Sequence, residues 1–180
     1  MNREQQRKLR ELKKTLPKML AEKIKPYKFK KRDERVWHVV GDMFFVGTFF
    51  VTQTVNDGCM CGMDVEAKPL WIDDLLWDCF RMEDNKKEPF SLRAVGAFTV
   101  SGAEIREEYD YLEEWTPEEL EKYVDKYLEE FSRIVQAVTI EDFYNNISSS
   151  GYHEDLRVSL TLVHDGKSVS YTHLRAHETR

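Results

Sequence analysis

The chain has little in it that cross-links, inserts into lipid or reacts. It holds three cysteines in 180 residues, an odd number with Cys59 and Cys61 only two apart, which argues against a disulfide framework and for reduced thiols in a cytoplasmic protein. No apolar run approaches the ~20 residues that cross a bilayer, and no charged start leads into an apolar signal core. A glycine-rich phosphate loop, a dinucleotide fingerprint and a Gly-x-Ser-x-Gly elbow are all missing. No internal repeat or low-complexity linker divides the chain. No catalytic, cofactor-binding or metal-binding residue is therefore assigned.

What is present suffices for one core. The length fits a single domain, and 41% hydrophobic content can fill it. Apolar residues run from Val36 to Val40 and again from Met43, broken only by Gly41-Asp42, a glycine-first pair suited to a type II′ hairpin turn. The second run reaches about Val55, where Asn56-Asp57-Gly58 offers a type I′ turn before Cys59 to Ala67 resumes the extended pattern. In the middle run Met43, Phe45, Phe49 and Val51 share one face while Phe44, Val46 and Phe50 share the other. Both faces must be covered, so this is the expected central strand, with Gly47 a candidate bulge. Phe90 to Val100 alternates as a fourth strand.

Helices supply the cover. Thr116-Pro117-Glu118-Glu119 sets a threonine N-cap, a proline at the first helical position and a glutamate at the third, the pattern of a capping box. Leu120, Val124, Tyr127, Leu128, Phe131, Ile134 and Val135 follow at three- and four-residue spacing, a stripe that belongs on a sheet. Thr139 with Asp142 opens a short helix through about Ile147. Leu70 to Met82 reads as a helix that packs Trp71, Leu75, Leu76, Cys79 and Phe80 and leaves Asp73, Asp74 and Asp78 wet. Near the N-terminus Leu9, Leu12, Leu16, Met19, Leu20 and Ile24 form one stripe, which Pro17 kinks or restarts. Tyr152 to Val163 fits either period, and the Ser148 to Ser150 caps with the Asp165-Gly166 stop favour a helix.

The expected fold is α+β: an antiparallel meander sheet of about four strands packed by N-terminal helices and a long C-terminal helix. Residues 1–148 make the domain, with a basic N-terminal helical segment, and 149–168 begin a truncated C-terminal extension. Residues 169–180, VSYTHLRAHETR, resemble the translated sequencing-adapter tail found at the ends of metagenomic reading frames. The metal-like spacing of His173 and His177 within them carries no weight.

Charge is spread unevenly. Residues 1–35 hold 14 Lys and Arg against 5 Asp and Glu, whereas Glu104 to Glu130 holds 12 acids and 3 bases. Lys28, Lys30, Lys31 and Arg32, interleaved with Tyr27 and Phe29, could contact a phosphate backbone. The plainer alternative places the basic helix in solvent or against the acidic helix, with Tyr27 and Phe29 in the core, and overall acidity favours it. Cys59, Cys61 and His38 could begin a zinc site but lack a fourth ligand, so buried thiols are favoured. Asp73, Asp74 and Asp78 could act as acid and base or hold a cation, although the wet side of a helix accounts for them as well. Arg93 is the charged residue most apt to sit inward against a carboxylate or at a pocket rim. Trp37, Trp71, Trp77 and Trp115 read as core anchors.

The order of a helix, then Ile24-Lys25-Pro26-Tyr27-Lys28-Phe29-Lys30-Lys31, then a Trp-bearing strand and an aromatic meander resembles the bacterial domain-of-unknown-function 4304 family over residues 15 to 147. Lys28 stands where that family's pattern has glycine. The resemblance implies an α+β fold and a bacterial origin, and brings no catalytic residues. The leading expectation is a cytoplasmic, non-enzymatic, immunity-like module that binds a basic protein through Glu113, Glu114, Glu118, Glu121 and Asp125. Nucleic-acid binding through Lys28, Lys30, Lys31 and Arg32 is the alternative. An enzyme using Asp73, Asp74 or Arg93 is the third, and requires those groups to converge on one concave pocket.

Overall fold

The computed structural model describes residues 2–148 and 154–167, so the segment assigned above to an adapter tail lies outside the described residues. The architecture is α+β, a five-stranded antiparallel sheet in the order β1-β2-β3-β4-β5 with six α-helices. The strands are β1 (Lys30–Arg32), β2 (Arg35–Val40), β3 (Met43–Gln53), β4 (Cys59–Pro69) and β5 (Ala103–Leu112). The helices are α1 (Arg3–Lys23), α2 (Leu70–Cys79), α3 (Ser91–Val95), α4 (Pro117–Ala137), α5 (Ile140–Asn145) and α6 (Glu154–His164).

β3 is the central strand because both of its faces are apolar. Met43, Phe45, Phe49 and Val51 enter the main core with the α1 residues Leu9, Leu12, Leu16 and Leu20, while Phe44 and Val46 form a smaller cluster with Ala94 on the other face. All seven stripe residues of α4 are buried against the first face, each contributing about 1.5–3 kcal/mol if fully desolvated. The Thr116 hydroxyl accepts from the Glu119 N–H at 3.2 Å. The Glu119 carboxylate differs from the expected box by turning outward, accepting from the N–H groups of Glu113, Glu114 and Trp115. α5 opens with a full Thr139–Asp142 box. α1 runs unbroken through Pro17 as one helix, and α6 makes the described part of the two-period segment, from Glu154 on, helical.

Four further expectations are corrected. Phe90 to Val100 is not a strand: it forms α3 and an irregular segment, with Phe90 and Phe98 exposed, and the strand beside β4 is the acidic run β5. Gly47 pairs in register with Val36 and Val65, so it marks no bulge. It makes room instead, since a Cβ there would lie 3.2 Å from the Phe131 ring. The irregularity falls between Val65 and Glu66, against β5. At the second hairpin Asp57 (φ +59°) takes the left-handed conformation and Gly58 does not, giving a longer loop than a type I′ turn, whereas Gly41 (φ +55°) turns as expected. Lastly, α2 is rotated from its expected face: Ile72, Asp73, Leu76 and Trp77 are buried, while Cys79 and Phe80 are exposed.

Candidate functional site

The rotation of α2 builds a buried ionic cluster. β4 carries Lys68 onto the second sheet face, where the residue is 2% exposed. The Lys68 Nζ donates to Asp73 Oδ2 at 2.9 Å and to the carbonyls of Val100 at 2.6 Å and Arg93 at 3.2 Å. Asp73, fully buried in the first turn of α2, also accepts the Val100 N–H at 2.8 Å and Arg93 Nη1 at 3.3 Å. Arg93 on α3 reaches Asp74 at 2.6 Å and the Leu70 carbonyl at 2.8 Å, with its guanidinium 4.6 Å from the Trp77 ring centroid. Burial pulls the Lys68 ammonium below its ordinary pKa, and Asp73 opposes that pull. The three donors of Lys68 and both oxygens of Asp73 are engaged, so the cluster locks α2, α3 and the 96–102 segment onto β4. It presents neither group as a free base or nucleophile.

Arg93, Asp73 and Asp74 thus converge, and Arg93 lines a cavity of about 310 Å³ together with Arg35, Thr48, Glu66, Lys68 and Thr99. That volume lies at the low end of ligand pockets, roughly 300–1,000 Å³. Asp78 stands apart, paired with Lys86 on the surface. Along the same sheet face, Asp64 is raised to about 6 by desolvation and then by Glu107, Glu104 and Glu66, and its buried Oδ1 finds no hydrogen-bond partner among the described residues. The fully buried Arg157 of α6 donates to the carbonyls of Ile147 and Gly102, each at 2.7 Å. Lys68, Asp64, Glu66 and Arg157 escaped the sequence reading. Asp64, Glu66 and Lys68 alternate along β4, a signal for a polar second face.

The acidic residues divide into two sets. Glu121 and Asp125 both pair with Lys23 of α1, at 2.7 and 2.8 Å, so the basic helix does lie against the acidic one. Glu113, Glu114 and Glu118 are exposed and form no ion pair among the described residues. On β5, Glu108 and Asp110 meet Lys126 at 3.1 and 2.7 Å, and Asp110 accepts the Tyr127 hydroxyl at 2.8 Å.

In the basic arm Phe29 is buried, stacked on Tyr27 and edge-on to Phe131. Lys28, Lys30 and Arg32 are exposed, and Lys31 is half-buried. Cys59 and Cys61 are buried, and burial pushes their thiols up to about 11 and about 12. His38 pairs with Phe45, far along the sheet from Cys61 opposite Val51, so the zinc trio is not assembled. No group of ligands fit for a metal occurs among the described residues. No helix there is long and apolar enough to cross a membrane. No family model, curated protein or solved structure matches the chain.

Proposed function

We propose that the chain is a non-enzymatic, immunity-like protein-binding module whose acidic surface before and at the start of α4 receives a basic protein. The carrying observation is the division of the acids: Glu119 accepts the loop N–H groups of Glu113, Glu114 and Trp115, and Glu121 and Asp125 are held by Lys23, while the Glu113, Glu114 and Glu118 side chains stay exposed. Lys8 borders this patch, its Nζ donating to the Glu114 carbonyl at 3.1 Å, and acids outnumber bases there; clustered charge of one sign steers complementary partners and suppresses like-charged ones. The enzyme reading has less support, because Lys68 and Arg93 of the cavity wall spend their hydrogen bonds on Asp73, Asp74 and backbone carbonyls. The resemblance to family 4304 draws support from Lys28, whose φ of +58° is the conformation a glycine adopts most readily.

The test is titration of the full chain with a fluorescent cationic peptide and with its anionic counterpart. Binding of the cationic peptide alone, weakened roughly tenfold, or about 1.4 kcal/mol, by Glu113→Gln/Glu114→Gln/Glu118→Gln, is the expected result. Equal binding of both peptides, or of neither, would overturn the reading. The exposed Lys28, Lys30 and Arg32 favour one competing reading. Under it, labelled oligonucleotides bind with an affinity that falls steeply with salt and vanishes when Lys30, Lys31 and Arg32 are neutralised.

A further inference from the structure

β5 is a sheet edge. It pairs with β4 alone, and no backbone hydrogen bond joins its other side to any described element. From Arg106 to Tyr111 the N–H and C=O groups that point away from β4 are therefore offered outward, a template for one more strand. Arg157 holds the Gly102 carbonyl just before the strand begins, but the stretch from Arg106 to Tyr111 is open, with Tyr109 52% and Tyr111 59% exposed.

The side chains beside this edge select what can pair with it. Through their partners on β4, Glu107, Tyr109 and Tyr111 stand on the second sheet face, opposite Asp64, Gly62 and Met60. Two exposed rings at 6.2 Å, edge to face, beside a carboxylate make a surface for cations, attracted by the charge and by the ring faces. A second copy of β5 would pair a strand of four acids and the single base Arg106 with itself, and like charges directly opposite are unfavourable. The opposite edge, β1, is basic but only three residues long. Lys28 before it and Asp33 after it, both with left-handed backbone, leave it too short to seat a strand of comparable length.

We propose that β5 binds its partner by strand addition, taking a basic extended segment whose alternate Arg or Lys side chains lie over Glu107, Tyr109 and Tyr111. This rests on the protein-binding reading above and supplies its mode: backbone pairing gives affinity, and alternate side chains give preference for cations. The segment belongs to a different protein, since among the described residues this chain's own basic stretches are α1, which is helical, and the three-residue β1.

The test uses the full chain and a fluorescein-labelled synthetic peptide about as long as β5, alternating arginine with threonine. A second peptide of the same sequence carries N-methyl groups on alternate backbone amides, so that it keeps the charge and loses the donors. The expected result is binding of the first peptide, at least tenfold weaker binding of the second, and a loss of roughly tenfold with Glu107→Gln/Tyr109→Ala. Circular dichroism of that variant shows whether the sheet is kept. If it is lost, Tyr109→Thr, which retains a strand-forming residue, replaces it. Equal binding of both peptides would overturn strand addition while leaving the acidic-surface reading standing. Binding of neither peptide would overturn both. Self-association through β5, seen in sedimentation as a dimer that Glu107→Gln strengthens, would overturn the basic partner as the occupant.

Discussion

Single residues hold this fold under local tension, Lys28 and Asp64 among them. Lys28 has a left-handed backbone that costs an ordinary L-residue about 1–2 kcal/mol, part of which glycine gives back through its freer unfolded chain. Lys28→Gly is expected to raise stability by about 0.5–1 kcal/mol, measured by urea denaturation. Asp64 is another such residue. Its pKa is about 6 in the fold against an ordinary 3.8, so the folded state holds a proton that the unfolded chain has released. Stability from this group is complete at low pH, declines as pH rises from about 4 to about 6, and is level above. Asp64→Asn is expected to remove that slope and to leave the protein more stable at neutral pH, as thermal unfolding at a series of pH values would show.

At the scale of elements, the ionic cluster decides how α2 and α3 sit. Removing one member of a buried pair leaves the other charge without compensation, at about 3–5 kcal/mol. Asp73→Asn is expected to cost that much in chemical denaturation. Asp74→Asn, at a carboxylate 36% exposed, is expected to cost less than about 1 kcal/mol. This cluster also marks where the sequence stops being readable. α4 was legible to the residue because its stripe, its cap and its proline all state the same helix. The phase of α2 was not, because Asp73 turns inward only where Lys68 and Arg93 arrive from elsewhere in the chain. β5 was missed for a related reason. As an edge strand it buries little of either face, so its charged residues hide the alternation. The candidate site suffered most: Arg93 was singled out, but its partners come from tertiary proximity that no spacing encodes.

The whole molecule separates its charges, with α1 basic, β5 and α4 acidic, and Lys23 the stitch between them. It also separates its strands in the chain. β1 to β4 succeed one another through tight turns, whereas Ala67 and Ala103 are neighbours across a detour of α2, a 3₁₀ turn and α3. Closing that detour costs chain entropy that a hairpin avoids. The β2-β3-β4 meander is thus an opening unit of its own, and β5 depends on the ionic cluster that ties the detour down. Native-state amide exchange should find β3, bonded on both sides, protected up to the global unfolding free energy, with β5 released earlier. Asp73→Asn should then speed exchange in β5 well beyond its effect on β3. A strand that can leave its sheet while the remainder stays folded gives the molecule two native lifetimes, and the shorter belongs to the strand that faces a partner.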